Sequence, residues 1–372
     1  MTQPDTAFPT TDLPTTRVQN HASFLCELPD GGLLCAWFGG TMEGKPDISI
    51  FMSRLGAQGW TPAQQMSDDP DRSEQNPVLF LDPENRLWLI YTAQPGGRQN
   101  DAQVRYRLSL DMGESWSPPK QLFPELGRFV RQTPVVTADG RWLLPVFRCL
   151  KQGDLPWTGE ADDAAIMVSM DQGATWHEHV LAESAGCVHM NIVPLDGPHM
   201  VAFFRSRWAE HVYRCTSDDA GRSWSMPEPA GLPNNNSSVQ ATRLAGGRVA
   251  LVYNHASRAD AQGRRVSLYD EIEDDSSADQ PQAPAGRAFW GAPRAPLSLA
   301  LSSDGGQTWD KRIDLAFSDG YCLSNNSEEQ INRELSYPAI LQTSDGQLHV
   351  TYTHFRQTIR HMVVPETALR DG

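Results

Sequence analysis

The sequence predicts an all-β protein, a six-bladed β-propeller of four-stranded antiparallel blades. Three observations predict it. An octet of the form Ser-x-Asp-x-Gly-x-(Ser/Thr)-Trp is written four times, at residues 109–116, 169–176, 217–224 and 302–309, with a worn copy at 53–60. A strand–turn–strand pattern recurs six times, with its turns at Gly31, Asn85, Gly140, Gly197, Gly247 and Gly346. The composition is turn-rich, with 29 Gly, 27 Pro and 11 Trp in 372 residues. A unit repeating at a fixed spacing marks a repeat architecture, and radial four-stranded units leave only short, protected edges.

The octet has a local reading. An apolar run feeds each copy, such as Val168 and Met170 around Ser169, or Leu299 and Leu301 before Ser302. A strand therefore leads in. The Asp side chain accepts hydrogen bonds from its own turn, and Gly supplies the positive φ that a tight hairpin needs. The Trp folds back on the apolar flank and anchors the turn. These aspartates serve the backbone and are not catalytic candidates.

The hairpin before each octet completes the unit. In order, these run Phe24 to Trp37, Val78 to Tyr91 and Val135 to Pro145, with three more around Gly197, Gly247 and Gly346. Two hairpins per unit give about four strands. The interval from Gly247 to Gly346 is nearly twice the others. The excess lies in a long inserted loop near residues 257–293, whose acidic, Ser/Ala/Pro-rich part from Asp270 shows no apolar periodicity and reads as a surface loop. A second long connection spans 319–333. No octet follows the sixth unit, so the N-terminal segment at 16–19 is expected to complete that blade and close the ring. The whole chain, 1–372, is expected to form this one domain.

The bulk properties narrow the function. A formal net charge of −15 disfavours nucleic acid and anionic membrane, and an acidic substrate would need local arginines to overcome that field. No apolar run of about 18 residues exists to span a bilayer. The first twenty residues lack a basic start and an apolar core, so no signal peptide is expected. The six cysteines lie without CxxC spacing, mostly in apolar runs, and read as buried reduced thiols. A cytoplasmic protein follows, monomeric or a small homo-oligomer. No P-loop, zinc motif or G-x-S-x-G elbow is present, so no cofactor or metal is expected.

The octets resemble the Asp-box (BNR) repeats of the sialidase superfamily. The stretch His21-Ala-Ser, Pro29-Asp-Gly and Phe38-Gly-Gly-Thr-Met-Glu43-Gly-Lys-Pro-Asp47 is similar to that family's first blade, and the likeness covers nearly the whole chain. It is nearest to the sialidase-like branch. Sialidases clamp a substrate carboxylate with three arginines, use an Asp of the first-blade loop as acid/base, and attack with a Tyr activated by a Glu. The resemblance places the acid/base on Asp47, the second and third arginines on Arg205 and Arg294, and the tyrosine on Tyr337. Two positions depart from the pattern: His21 stands for the first arginine, and His189 stands for the activating glutamate. A histidine is neutral near pH 7 and can both accept and donate, so the activation chemistry changes.

Alongside these stand Glu43, a neighbour of Asp47, and, as second-tier candidates, Glu334 and Arg356. Asn236 lies in the polar run 234–238, which reads as a sugar-hydroxyl binder or a turn cluster. Residues 75–77 and 131–133 occupy the equivalent place in their blades. Of Arg205 and Arg207, only one is expected to point to the central funnel. Arg205 is expected there and Arg207 at the surface.

Paired guanidinium donors suit a carboxylate, which implies an acidic oligosaccharide. Three function classes follow. The first is an exo-acting hydrolase releasing a terminal acidic sugar. The second is a uronate-directed lyase using His and Tyr, and the third a non-catalytic glycan-binding propeller.

Overall fold

The computed structural model describes residues 5–151, 157–265, 271 and 287–370. Six antiparallel sheets form from the alternating apolar runs, and each inner strand leads its own blade. The inner strands are Gln19–Glu27 in blade 1, Ser73–Leu81 in blade 2, Arg128–Val130 with Val135–Val136 in blade 3, Cys187–Pro194 in blade 4, Gln240–Arg243 in blade 5 and Leu335–Gln342 in blade 6. Four sheets have four strands and two have five, the extra strand in each being a short second segment on the same neighbour. The propeller expected from the repeats is what the chain forms.

The N-terminus closes the ring, but through an earlier segment than expected. Thr10–Asp12 is the outermost strand of blade 6, with Thr10 opposite Met362 and Asp12 opposite Arg360. Residues 16–19 instead lead into the inner strand of blade 1. The reason is reach: chain leaving an outer edge must cross the blade before it enters the neighbouring inner strand, and residues 13–18 make that crossing.

The octets lock each blade to the one before it. In the copy at 169–176, the Asp171 carboxylate accepts from Ser169 Oγ at 2.8 Å, Thr175 N at 2.8 Å and Thr175 Oγ1 at 2.6 Å, while Gly173 N donates to Ser169 Oγ. The other three copies repeat these bonds. The turn Gly is needed twice over. Gly306 has φ +82°, and a Cβ there would stand 2.5 Å from Phe203 of the preceding blade. Interblade packing is largely aromatic, with Trp142 of blade 3 edge-on to Trp88 and Phe80 of blade 2. All six cysteines are buried free thiols.

The inner strands share one irregularity. Register slips between His21 and Phe24, Gln75 and Val78, Val188 and Asn191, and Ser336 and Ala339. In each bulge one residue takes a left-handed φ: Ala22, Asn76, His189 and Tyr337, at +60°, +51°, +56° and +48°. Asn236 of blade 5 does the same at +56°. A bulge leaves residues unpaired and re-aims their side chains. Here it aims them at the axis.

Candidate functional site

Tyr337 stands at the centre of the arrangement. Its ring is met by the guanidinium carbons of Arg131, Arg205 and Arg294 at 5.4, 5.5 and 5.6 Å from the centroid. Each is within cation–π range. The two histidines complete the surround, His21 at 4.2 Å between centroids and His189 edge-on at 5.6 Å. The Tyr337 hydroxyl is hydrogen-bonded by Arg205 Nη1. Blades 1, 3, 4 and 6 and the segment ahead of the strand Leu297–Ser302, which carries Arg294, thus converge on one phenol. All these side chains are buried.

The histidines differ in what they can do. His21 Nε2 faces Arg356 Nη2 at 3.4 Å, and a guanidinium only donates. Nε2 therefore carries the lone pair, and the Nδ1 proton goes to Thr353 Oγ1 at 2.8 Å, with Glu334 at 3.4 Å. Both nitrogens of His21 are engaged. His189 Nδ1, by contrast, is buried without a hydrogen-bond partner. Burial, reinforced by the surrounding arginines, holds both imidazoles well below their usual range, so both are neutral.

The acidic residues pair with arginines. Glu334 accepts from Arg294 Nη1 at 3.1 Å, Arg356 Nε at 3.0 Å and Ser336 Oγ at 2.7 Å. Burial alone would raise its carboxyl, but Arg294 and Arg356 override this and hold it at about 2. Glu43 closes the chain on Arg356 Nη1 at 2.5 Å. Glu43, Glu334 and Arg356 therefore spend their charges on one another and on Arg294. Asn236 is likewise committed, accepting from Arg205 Nε at 2.7 Å and donating to Phe289 O at 2.9 Å.

Asp47 lies elsewhere on the loop that carries Glu43. Its carboxylate caps the loop, accepting from Thr41 N at 2.8 Å and Thr41 Oγ1 at 3.0 Å, and the side chain is exposed. Glu43 thus reaches inward from the start of the loop, while Asp47 stands at its outer end.

Two expectations are corrected. Arg207 is not at the surface: it is 2% exposed and bound to Asp162 through Nη2 at 2.7 Å and Nε at 2.9 Å. Residues two apart along extended chain share a face, so alternation does not separate Arg207 from Arg205, and both are buried. Nor is the insertion wholly a surface loop. Ala288, Phe289 and Trp290 are buried, and Trp290 lies 5.7 Å from Arg205 and 5.1 Å from Arg207. Asn235 and Asn236 fasten this segment by donating to Pro293 O and Phe289 O. The rest of the acidic stretch, residues 266–270 and 272–286, lies outside the described residues.

The sum of charges is uneven. Arg131, Arg205, Arg207, Arg294 and Arg356 meet the carboxylates of Glu43, Glu334 and Asp162, and among the described residues neither Arg131 nor Arg205 has one of its own. Burial pushes Arg131 down to about 10 and Arg205 down to about 9, the mark of guanidiniums short of counter-charge. Arg205 Nη2 is buried with no acceptor. A desolvated, unsatisfied guanidinium N–H is expensive. An anionic oxygen placed there would relieve it.

A buried cationic centre around one tyrosine, on the axis of a six-bladed propeller, defines the class. The sequence matches the model of the BNR repeat-like domain over residues 31–350, and the chain belongs to that family. It is a sialidase-like BNR repeat protein. No curated protein matches it. Among solved structures it is similar to a Hadza microbial sialidase, with 16% identity and TM-score 0.65 over 94% of this chain and 66% of that one. A Dyadobacter fermentans protein of unknown function gives 15% and 0.68 over 96% and 98%. An intramolecular trans-sialidase from Ruminococcus gnavus, solved with oseltamivir carboxylate, gives 12% and 0.64 over 98% of each chain.

Proposed function

We propose that this protein is a glycan-active enzyme that releases a terminal acidic sugar from an oligosaccharide by hydrolysis. One observation carries the reading: the buried Arg205 presents one N–H to the Tyr337 hydroxyl and keeps another without an acceptor. An oxygen that accepts from a guanidinium is one on which negative charge is well stabilised. Arg205, with Arg294 beside it, would hold the sugar carboxylate. Tyr337 would attack or stabilise the anomeric centre, a recognised exception to the two-carboxylate scheme. Asp47, on its exposed loop, would protonate the leaving oxygen. That a neighbour of this fold was solved with a carboxylate ligand supports the same reading.

A second reading has its own observation. His189 Nδ1 is neutral, buried and unpartnered beside Tyr337, which suits a base that takes a proton from carbon. The protein would then cleave a uronate by elimination, with the arginines acidifying the C–H next to the carboxylate. His21 cannot share that role, because both of its nitrogens are engaged.

Incubation with sialylated and uronate-terminated oligosaccharides, followed by mass spectrometry and ultraviolet absorbance, separates these readings. Hydrolysis predicts products that sum to substrate plus one water, no new absorbance, and a collapse of turnover in Asp47→Asn. Elimination predicts products that sum to substrate alone, absorbance from a new conjugated double bond, and loss in His189→Ala with Asp47→Asn still active. No product from any acidic glycan would overturn both.

A further inference from the structure

Arg131 is the most unusual side chain on the axis. It is 1% exposed and leaves blade 3 just after the strand Arg128–Val130. It crosses to the far side of the ring. Nε donates to Ser238 Oγ of blade 5 at 3.1 Å, and Nη1 to Ser23 O of blade 1 at 3.0 Å, with Ala22 O at 3.5 Å. Nη2 donates to Tyr337 O and Pro338 O of blade 6, each at 3.1 Å. Among the described residues no carboxylate contributes. A buried guanidinium without a counter-ion is costly, and main-chain carbonyls are weaker partners than a carboxylate.

The carbonyls it binds are those of two bulges. Ala22 and Tyr337 hold left-handed φ, and those conformations and the residues that follow turn their C=O groups toward the axis. Non-glycine residues held at positive φ are strained and persist where their surroundings over-determine them. Arg131 is the surrounding group common to both. It ties the backbone under Tyr337 to the backbone that follows His21, and its own charge lies 5.4 Å from the Tyr337 ring.

We infer that Arg131 is a positioning residue: from beneath, it fixes the bulges that present Tyr337 and His21 to the site. This rests on the reading of Tyr337 as the reacting group, but the positioning can be measured without turnover. An Arg→Lys change keeps the charge and loses the fork that spans three blades, because an ammonium cannot reproduce the guanidinium geometry.

The test uses the full chain carrying 3-fluorotyrosine. The Tyr337 ¹⁹F resonance is assigned by its disappearance in Tyr337→Phe. In Arg131→Lys that resonance is expected to shift or broaden while the other tyrosines hold their positions. Ser238→Ala, which removes only the Nε partner, should give the same change in smaller degree and stands as the milder variant if Arg131→Lys fails to fold. On an acidic substrate, Arg131→Lys should lower kcat by about 100-fold with KM little changed, the scale of an ångström-level misplacement. An unmoved Tyr337 resonance in both variants would overturn the positioning role whether or not the protein turns over a sugar. A moved resonance with wild-type kcat would leave the geometry standing and remove Tyr337 from the chemistry.

Discussion

The octet turns and the inner-strand bulges are both repeated features of the blades, yet they have opposite characters. At the octets the four copies keep the same side chains and the same bonds, all made within eight residues and mostly exposed. At the bulges, and at Asn236 just ahead of the blade 5 strand, the backbone conformation repeats but the residue placed there does not: Ala22, Asn76, His189, Asn236 and Tyr337 share a left-handed φ and little else. Repetition of the side chain marks what every blade needs to close. Repetition of the backbone with a changing side chain marks a mount on which each blade can present a different group to the axis.

The contrast can be sharpened by breaking one element on each side, and the largest effect is expected at the axis. Glu334→Gln removes the carboxylate shared by Arg294 and Arg356, leaving the buried Arg294 without one and Arg356 with Glu43 alone. Breaking such a pair from one side costs about 3–5 kcal/mol. Denaturant unfolding should show that loss. In the wild-type protein the same carboxylate, held at about 2 in the fold, contributes stability that is present above its ordinary 4.5 and lost as pH falls from there toward 2.

A second, intermediate effect concerns the ring's closing seam. His361 Nε2 meets His349 Nδ1 at 2.9 Å, and Trp60 Nε1 donates to His361 Nδ1 at 3.3 Å. With Nδ1 accepting, His361 must carry its proton on Nε2 and give it to His349, so both rings are neutral. Burial first, then His349, pushes His361 down to about 4. A lowered folded value means that the stabilisation is complete above about pH 6.5 and is lost as pH falls toward 4, roughly 3 kcal/mol at most. Equilibrium unfolding from pH 7.5 to 4.5 should show this slope, and His361→Gln should flatten it.

The smallest effect is expected at an octet. Asp304→Asn keeps one acceptor and removes an exposed, screened charge, so the loss should stay below about 1 kcal/mol with kcat unchanged. A loss of activity there comparable to that of an axial variant would erase the distinction between the two regions.

The fold was legible because the octets are local, so a pattern of eight letters contains all the partners that make the turn. The axial residues were legible only in part. Tyr337, His21, His189, Arg205 and Arg294 stand at positions that a resemblance could find, and the structure gathers them around one ring. Arg131 was marked only as part of the run 131–133, and its role was not legible, because its partners are main-chain carbonyls and a hydroxyl more than a hundred residues away. The burial of Arg207 was missed because residues two apart along a strand share a face, and that of Trp290 because a polar insertion returns to the core. Asp47 was found by pattern, but its present bonds are those of a loop cap.

The measurement that bears most directly on the account is calorimetric titration with sialic acid and glucuronic acid, each against its uncharged methyl ester. If the unsatisfied Arg205 donor exists to meet an anionic oxygen, one of the acids should bind about 10- to 100-fold more tightly than its ester, the range of a charge-assisted hydrogen bond. That advantage should vanish in Arg205→Met. Acid and ester binding equally well, with Arg205→Met indistinguishable from wild type, would contradict the reading of this axis as an anion site.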